Sequence, residues 1–159
     1  MNFVMLKQKD RDSDAAQINH LKNLALDLNR SSQCWIHGYV VCRETEQEAK
    51  KYLNHYVIEK GDDVAVSNML DIFGIESQTL DESVLNEFKF HFKAGHGGYP
   101  LVGTPDQIVS KMQDLSSMGV DGILLSWLDY IDEAHYWIEN VLPRLEQAGL
   151  RAPFTPPLL

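Results

Sequence analysis

Positive charge is scarce in this sequence. Lys and Arg number 14 against 23 Asp and Glu, a formal net charge of −9. A chain of that sign repels nucleic-acid phosphate and anionic lipid, and no local cluster of basic residues offsets it, so nucleic-acid binding is set aside. Long apolar runs are lacking as well. None approaches the ~20 residues of a membrane-spanning helix, and the opening MNFVMLKQKDRDSD lacks the basic lead and apolar stretch of a secretory signal. No membrane span or leader is therefore expected. Cysteine is nearly absent. Cys34 and Cys42 stand at the two ends of one apolar run, CWIHGYVVC. As a strand that run would hold them ~26 Å apart, far beyond the ~7 Å between Cα atoms that a disulfide allows. Two free thiols suit a reducing compartment, and the expected location is cytoplasmic. Metal motifs are missing too. There is no H-E-x-x-H or C-x-x-C, and the spacing of His91 and His96 does not put them on one helix face. No metal site is expected, and no G-x-S-x-G nucleophile elbow occurs.

What is present is an ordinary globular chain of 159 residues, 44% hydrophobic and 23% charged, enough for one domain with a substantial core. FVML (3–6) reads as a short buried strand. Ile18, Leu21, Leu24, Ala25 and Leu28 recur at helical spacing, with Ser13 or Asp14 as the expected N-cap. CWIHGYVVC (34–42) is apolar on both faces, as a strand of a parallel sheet is when helices cover it on either side. Thr45 and Glu48 form a capping box for the next helix, whose apolar face is Ala49, Tyr52, Leu53 and Tyr56, and Gly61 can end it. Residues 62–94 read as a helical excursion. Thr104 and Gln107 form a second capping box, with Pro105 at the favoured first position. Gly119 stops that helix, DGILLSWL is another doubly buried strand, and Asp129 caps a final helix. The inner face of that helix reads as Ile131, Ala134, Ile138, Val141, Leu142 and Leu145, with a bend or restart at Pro143. RAPFTPPLL is a tail. This alternation of strands and helices predicts an α/β fold with parallel strands and crossover helices.

The glycine-rich stretch GHGGYPLVGTPDQ (95–107) invites a phosphate-loop reading, which fails where the chemistry lies. Thr104 stands where the P-loop needs Lys, and Pro105 where it needs the Mg²⁺-binding hydroxyl. Asp106 adds negative charge to the first helical turn, which disfavours an anion. The dinucleotide fingerprint fails at Pro100. The Thr-Pro-Asp-Gln segment therefore reads as a helix start, and the preceding AGHGGYP as a connector that lets backbone approach a neighbour closely. His37 lies in the strand run beside Trp35, Tyr39 and Val41 and reads as a core histidine with a hydrogen-bond partner. Arg43 falls just past the end of a buried strand, where α/β barrels place their sites.

YPLVGTPDQIVSKMQDLSSMGVDGILLSWLDYIDEAHYWIENVLPRLEQAGLR (99–151) resembles the C-terminal end of the luciferase-like, flavin-dependent monooxygenases. GYVVCRETEQEA resembles that family's penultimate strand and the helix after it, and AGHGGYPLVGTP is closest in look to the dimethyl-sulfone and alkanesulfonate monooxygenases. The resemblance implies the C-terminal part of a (β/α)8 barrel. About three parallel strands with crossover helices would fill residues 1–151, with a helical insertion at about 62–94 and a Pro-rich tail at 152–159. It implies an enzyme that uses reduced FMN, supplied by a partner flavin reductase, to oxygenate a small organosulfur or similar organic substrate with O2. On the family plan the first five strands are missing, and with them the turn that holds the FMN phosphate. The chain is therefore expected to bind FMN weakly and to be inactive alone. It is expected to self-associate or to need a chain that supplies the missing strands, because helices would cover only one sheet face. The alternative is a non-catalytic α/β subunit or remnant that pairs with another chain. His96, Tyr99, Arg43 and Trp127 are the candidates for lining the substrate and flavin pocket, and none is assigned a catalytic role.

Overall fold

The computed structural model describes residues 2–4, 6, 10–74 and 81–155. The sheet is built around its longest strand, β2 (Cys34–Cys42), and every pairing is parallel. β1 (Asn2–Phe3) pairs Phe3 with Trp35, and β4 (Gly122–Ser126) pairs Gly122 with the same residue. Gly38 likewise pairs with both Tyr99 of β3 (Tyr99–Gly103) and Leu125 of β4. A strand residue has only two edges, so β4 takes one edge of β2 while β1 and β3 share the other end to end. The parallel sheet with crossover helices is as expected. β3 is an addition to the expected strands, since its Gly and Pro content reads as a connector. Pro100, on the strand, is tolerated where its missing donor breaks no needed pairing.

Helices α1 (Arg11–Asp27), α5 (Pro105–Ser117), α6 (Asp132–Asn140) and α7 (Leu142–Gln147) lie on one face. There Ile36, Val40 and Leu101 pack on Ile18, Ile108 and Trp137. The second face is covered too, contrary to the expectation that helices lie on one side only. α2 (Glu46–Asn54), the single π-helical turn His55–Glu59 and α4 (Glu82–Gly95) bury Tyr39 and Val41 under Ala49, Val57 and Ala94. α3 (Asp63–Ile72) packs on α4 through the edge-on Phe73–Phe92 pair, and the two form the helical excursion. This second cover reaches only the C-terminal half of β2. Trp35 and His37 remain half-buried, and their neighbour Leu124 is 54% exposed.

Local signals set most helix ends. Both capping boxes, Thr45–Glu48 and Thr104–Gln107, form with reciprocal side-chain and backbone bonds. The expected cap of α1 shifts: Asp10, not Ser13 or Asp14, accepts from the Ser13 amide. Asp129 caps α6 from ahead of its first turn, accepting from the Ile131 and Asp132 amides. Pro143 sits at the start of α7, which restarts the helix as expected. Two apolar stripes are corrected. On α1 Ile18 is buried and Leu21 packs partly buried against the core, while Leu24 and Leu28 face solvent. On α6 the buried stripe is Glu133, Trp137 and Val141, while Ile131 is 72% exposed and Ile138 is exposed. α1 and α6 carry exposed apolar side chains on faces that no described element covers.

Candidate functional site

The C-terminal ends of β2 and β4 lie together, the end where parallel α/β proteins build their sites. Arg43 follows β2 directly. Its Nη2 donates to Glu133 Oε1 at 2.7 Å, its Nη1 donates to the Cys42 carbonyl at 2.7 Å, and its guanidinium lies 3.9 Å from the centroid of the Tyr52 ring. Glu133 is only 8% exposed, and its other oxygen accepts from the Leu128 and Asp129 amides at 3.1 and 3.0 Å. Arg43 thus ties β2 to α6 and to the β4–α6 turn. Trp127 stands at the end of β4, edge-on to Trp137 at 5.8 Å and to Tyr130 at 5.6 Å. Among the described residues its buried indole N–H has no hydrogen-bond partner.

Beside this latch the half-covered second face forms a cleft of about 470 Å³ lined by His37, Lys93, His96, Ser126, Trp127 and Tyr130, among others. His96 ends α4 in the left-handed conformation, φ 52°, and its ring stacks on Phe92 at 5.5 Å, nearly parallel. His96 also lines a second cleft of about 700 Å³ with Tyr52, Tyr56 and Phe92, so it forms part of the wall of both. Tyr99 points to the other face, among the α1 and α5 side chains, and shares a small cavity of about 70 Å³ with His37 and His96. Burial pushes the Tyr99 hydroxyl pKa up, and Asp114 and Asp14 add to that shift. The structure therefore brings His96 and Trp127 to one cleft and leaves Tyr99 at its back. Arg43 is committed to Glu133 nearby.

The glycine-rich stretch lies flat against β2. A Cβ at Gly95 would come within 2.4 Å of Tyr39 Cβ, and one at Gly98 within 2.8 Å of His37 Nδ1. Glycine stands at both positions because no side chain fits between the connector and the strand. His37 itself is a histidine with a partner, as expected: its Nε2 is hydrogen bonded to Ser126 Oγ at 3.0 Å. Burial lowers its pKa, and the nearby His96 lowers it further, so His37 is neutral near pH 7. Sequence reading missed Ser126 and Glu133. Each is joined to its partner across about 90 residues of chain, 89 for Ser126 and 90 for Glu133.

Among the described residues, no three or more His, Cys, Asp or Glu side chains are placed to hold a metal ion. No described helix is long and apolar enough to cross a membrane. Lys93 is the only cation among the residues named as lining the 470 Å³ cleft, and Asp63 holds it at 2.7 Å.

No family model matches this sequence. The chain is 28% identical over 142 residues to the FMNH2-dependent dimethylsulfone monooxygenase of Pseudomonas fluorescens (strain Pf0-1), covering 86% of this chain and 39% of that protein. It is 26% identical over 156 residues to the sulfoquinovose monooxygenase of Agrobacterium fabrum, covering 89% and 40%. It therefore spans about two fifths of the length of these curated relatives. Among solved structures it superposes on DmoA from Hyphomicrobium sulfonivorans with a TM-score of 0.74 at 16% identity, over 97% of this chain and 39% of that one. It superposes on a riboflavin lyase crystallised with modified FMN and riboflavin at TM-score 0.73 and 19% identity, over 94% and 39%. The likeness to luciferase-like monooxygenases is borne out by the curated relatives, and the fold is part of such a barrel.

Proposed function

We propose that this chain is the C-terminal part of a cytoplasmic, reduced-FMN-dependent monooxygenase that oxygenates a small organosulfur or similar organic substrate. On this reading residues 1–151 are the partial barrel, 62–94 its helical insertion and 152–159 a tail. The observation that carries the reading is the cleft between His37 of β2 and the C-terminal end of β4, walled by His96 and Trp127, in a chain whose curated relatives are FMNH2-dependent and sulfoquinovose monooxygenases. Reduced FMN, delivered by a reductase, would supply the electrons that activate O2. The described residues fit one aromatic wall of a flavin or substrate site. They do not fit the flavin phosphate, because Lys93 is already held by Asp63 and Arg43 by Glu133. His96, Trp127, Tyr99 and Arg43 therefore act by shaping and bracing this wall, and no chemical step is assigned to them.

A second reading is favoured by one observation: the sheet has a core on each face, so the chain has the makings of a subunit that folds by itself and pairs with another chain. The edge of β4 that no described strand pairs and the exposed apolar residues Leu124, Ile131 and Ile138 support association with a second copy or with a chain that supplies strands. Two measurements on the purified chain separate the readings. Titration of FMN against it, read by flavin fluorescence, is expected to give a dissociation constant weaker than about 1 μM, the equivalent of about −8 kcal/mol. Mixing with the N-terminal part of a related enzyme is then expected to restore FMNH2-dependent oxygen consumption with a sulfone or sulfonate. Tight FMN binding by the chain alone refutes the division of the site. Failure to restore turnover despite formation of a stable complex leaves the non-catalytic subunit.

A further inference from the structure

Lys111, on α5, differs from other lysines of the chain in how its charge is held. Lys22, Lys50 and Lys93 are paired with the carboxylates of Asp121, Glu46 and Asp63. Lys111 has no carboxylate partner among the described residues. Its Nζ donates to the Val102 carbonyl at 2.8 Å and to the Pro100 carbonyl at 3.4 Å. Carbonyls two residues apart lie on one edge of a strand, and the Gly103 carbonyl, on the opposite edge, accepts from the Arg43 amide that follows β2. Lys111 therefore closes the edge of β3 that faces away from β2, a usual way of blunting a sheet edge. That task engages two of its three N–H donors and neutralises none of its charge. Burial pushes its pKa down, and Glu46 offsets that shift only in part. The ammonium lines a cleft of about 480 Å³ whose walls include Leu53, Phe90, Pro100 and Val102. No residue named as lining it lines the cleft of His96 and Trp127. Glu46 lines it too, but is already held by Lys50 and by the Gln107 side-chain amide, 2.9 Å away. A desolvated cation without a counterion is stabilised by an anion that can reach it. The net charge of −9 disfavours a bare, well-hydrated anion. An anion that carries an apolar body gains from the walls as well as from the ammonium.

We propose that this cleft is a second ligand site, for a small organic carboxylate with an apolar body, in which the carboxylate pairs with Lys111 Nζ and the body lies against Leu53 and Phe90. The site is independent of the monooxygenase reading, since it shares no lining residue with the His96–Trp127 cleft.

The test uses the full chain, with benzoate as the probe, and needs neither flavin nor oxygen. Benzoate titrated into the protein is expected to give saturable NMR shifts at the Leu53 and Val102 methyl groups and the Phe90 ring. Benzamide has the same body without the charge, and acetate the charge without the body; each should bind about fivefold more weakly or worse. Lys111→Met keeps the alkyl stem and removes the charge, and should weaken benzoate about tenfold or more, with the rest of the spectrum retained. Because Lys111 also closes the edge of β3, a second readout uses the unaltered chain. Amine acylation followed by peptide mass spectrometry should show Lys111 labelled about fivefold more slowly under saturating benzoate, with Lys22 unchanged. The proposal is overturned by the absence of a saturable response, or by benzamide or acetate binding as tightly as benzoate. It is overturned equally by a benzoate response retained in folded Lys111→Met, or by labelling of Lys111 that benzoate does not slow.

Discussion

Glu133→Ala tests the structural reading of the latch between β2 and α6. Glu133 accepts three hydrogen bonds, one from Arg43 and two from the Leu128 and Asp129 amides. Removing it strands a guanidinium and two backbone donors at once. Breaking a buried ion pair by deleting one partner costs about 3–5 kcal/mol when the remaining charge is fully buried, and a buried amide left without an acceptor costs about 1–3 kcal/mol. The sum overstates the loss here. The Arg43 side chain is 26% exposed and keeps its bond to the Cys42 carbonyl and its stack on Tyr52, and water reaches the vacated space. The expected loss is about 3 kcal/mol, or about 6–12 °C in Tm for a domain of this size. Urea unfolding followed by circular dichroism measures it, with an unchanged m value showing that the cost lies in the native state. The double variant Arg43→Met/Glu133→Leu removes the stranded charge and should recover part of the loss, but not all, since the two amides stay without acceptors. A loss below about 1 kcal/mol for Glu133→Ala, or a double variant less stable than the single one, would refute the assignment of this pair as a buried latch.

Thr104→Ala removes the side chain that caps α5 and breaks the reciprocal pair with Gln107; chemical denaturation should show a loss of about 1 kcal/mol, without selective damage to ligand binding. His37 gives the chain a pH dependence of definite sign. Its folded pKa is lowered, first by burial and then by His96, from the ordinary 6.5, so the unfolded chain binds the proton more readily. Its contribution is fully present above about pH 7 and is lost as the pH falls from there through the depressed folded value. The difference in unfolding free energy between wild type and His37→Gln, measured from pH 8 down to 5, should shrink toward the acid side. A difference that grows there contradicts the sign.

Local chemistry was the legible part of the sequence. Capping boxes span three residues and need no tertiary partner, so Thr45 with Glu48 and Thr104 with Gln107 could be read directly. The apolar run of β2 marked a strand covered on both faces, which the two core clusters bear out. β3 escaped because its residues carry turn composition, and it becomes a strand by pairing with the far half of β2. The faces of α1 and α6 were misread because each carries more apolar stripe than the core can take. Trp137 outcompetes Ile138 for the sheet by virtue of its size, and Glu133 is drawn inward by Arg43, a partner no local pattern reveals. His96 and Trp127, named as pocket candidates under the family resemblance, line one cleft. Ser126 was not named, because a lone serine at a strand terminus carries no signal until His37 is seen beside it.

The arrangement of β2 and β3 has a consequence for how the excursion between them is tolerated. Cys42, where the chain leaves the sheet, and Gly103, where β3 ends, are register partners, and the Arg43 amide donates to the Gly103 carbonyl at 3.1 Å. The point of departure is thus tied to the end of β3, while the return, at Tyr99, is held four residues back by pairing with Gly38, so both ends of the intervening loop are fixed by the sheet. The entropy of closing such a loop grows only logarithmically with its length, about 0.6 kcal/mol for each doubling. Lengthening the excursion is therefore thermodynamically inexpensive. Shortening α2 or the end of α4 is not, because Ala49 and Ala94 there seal Tyr39 and Val41 from water.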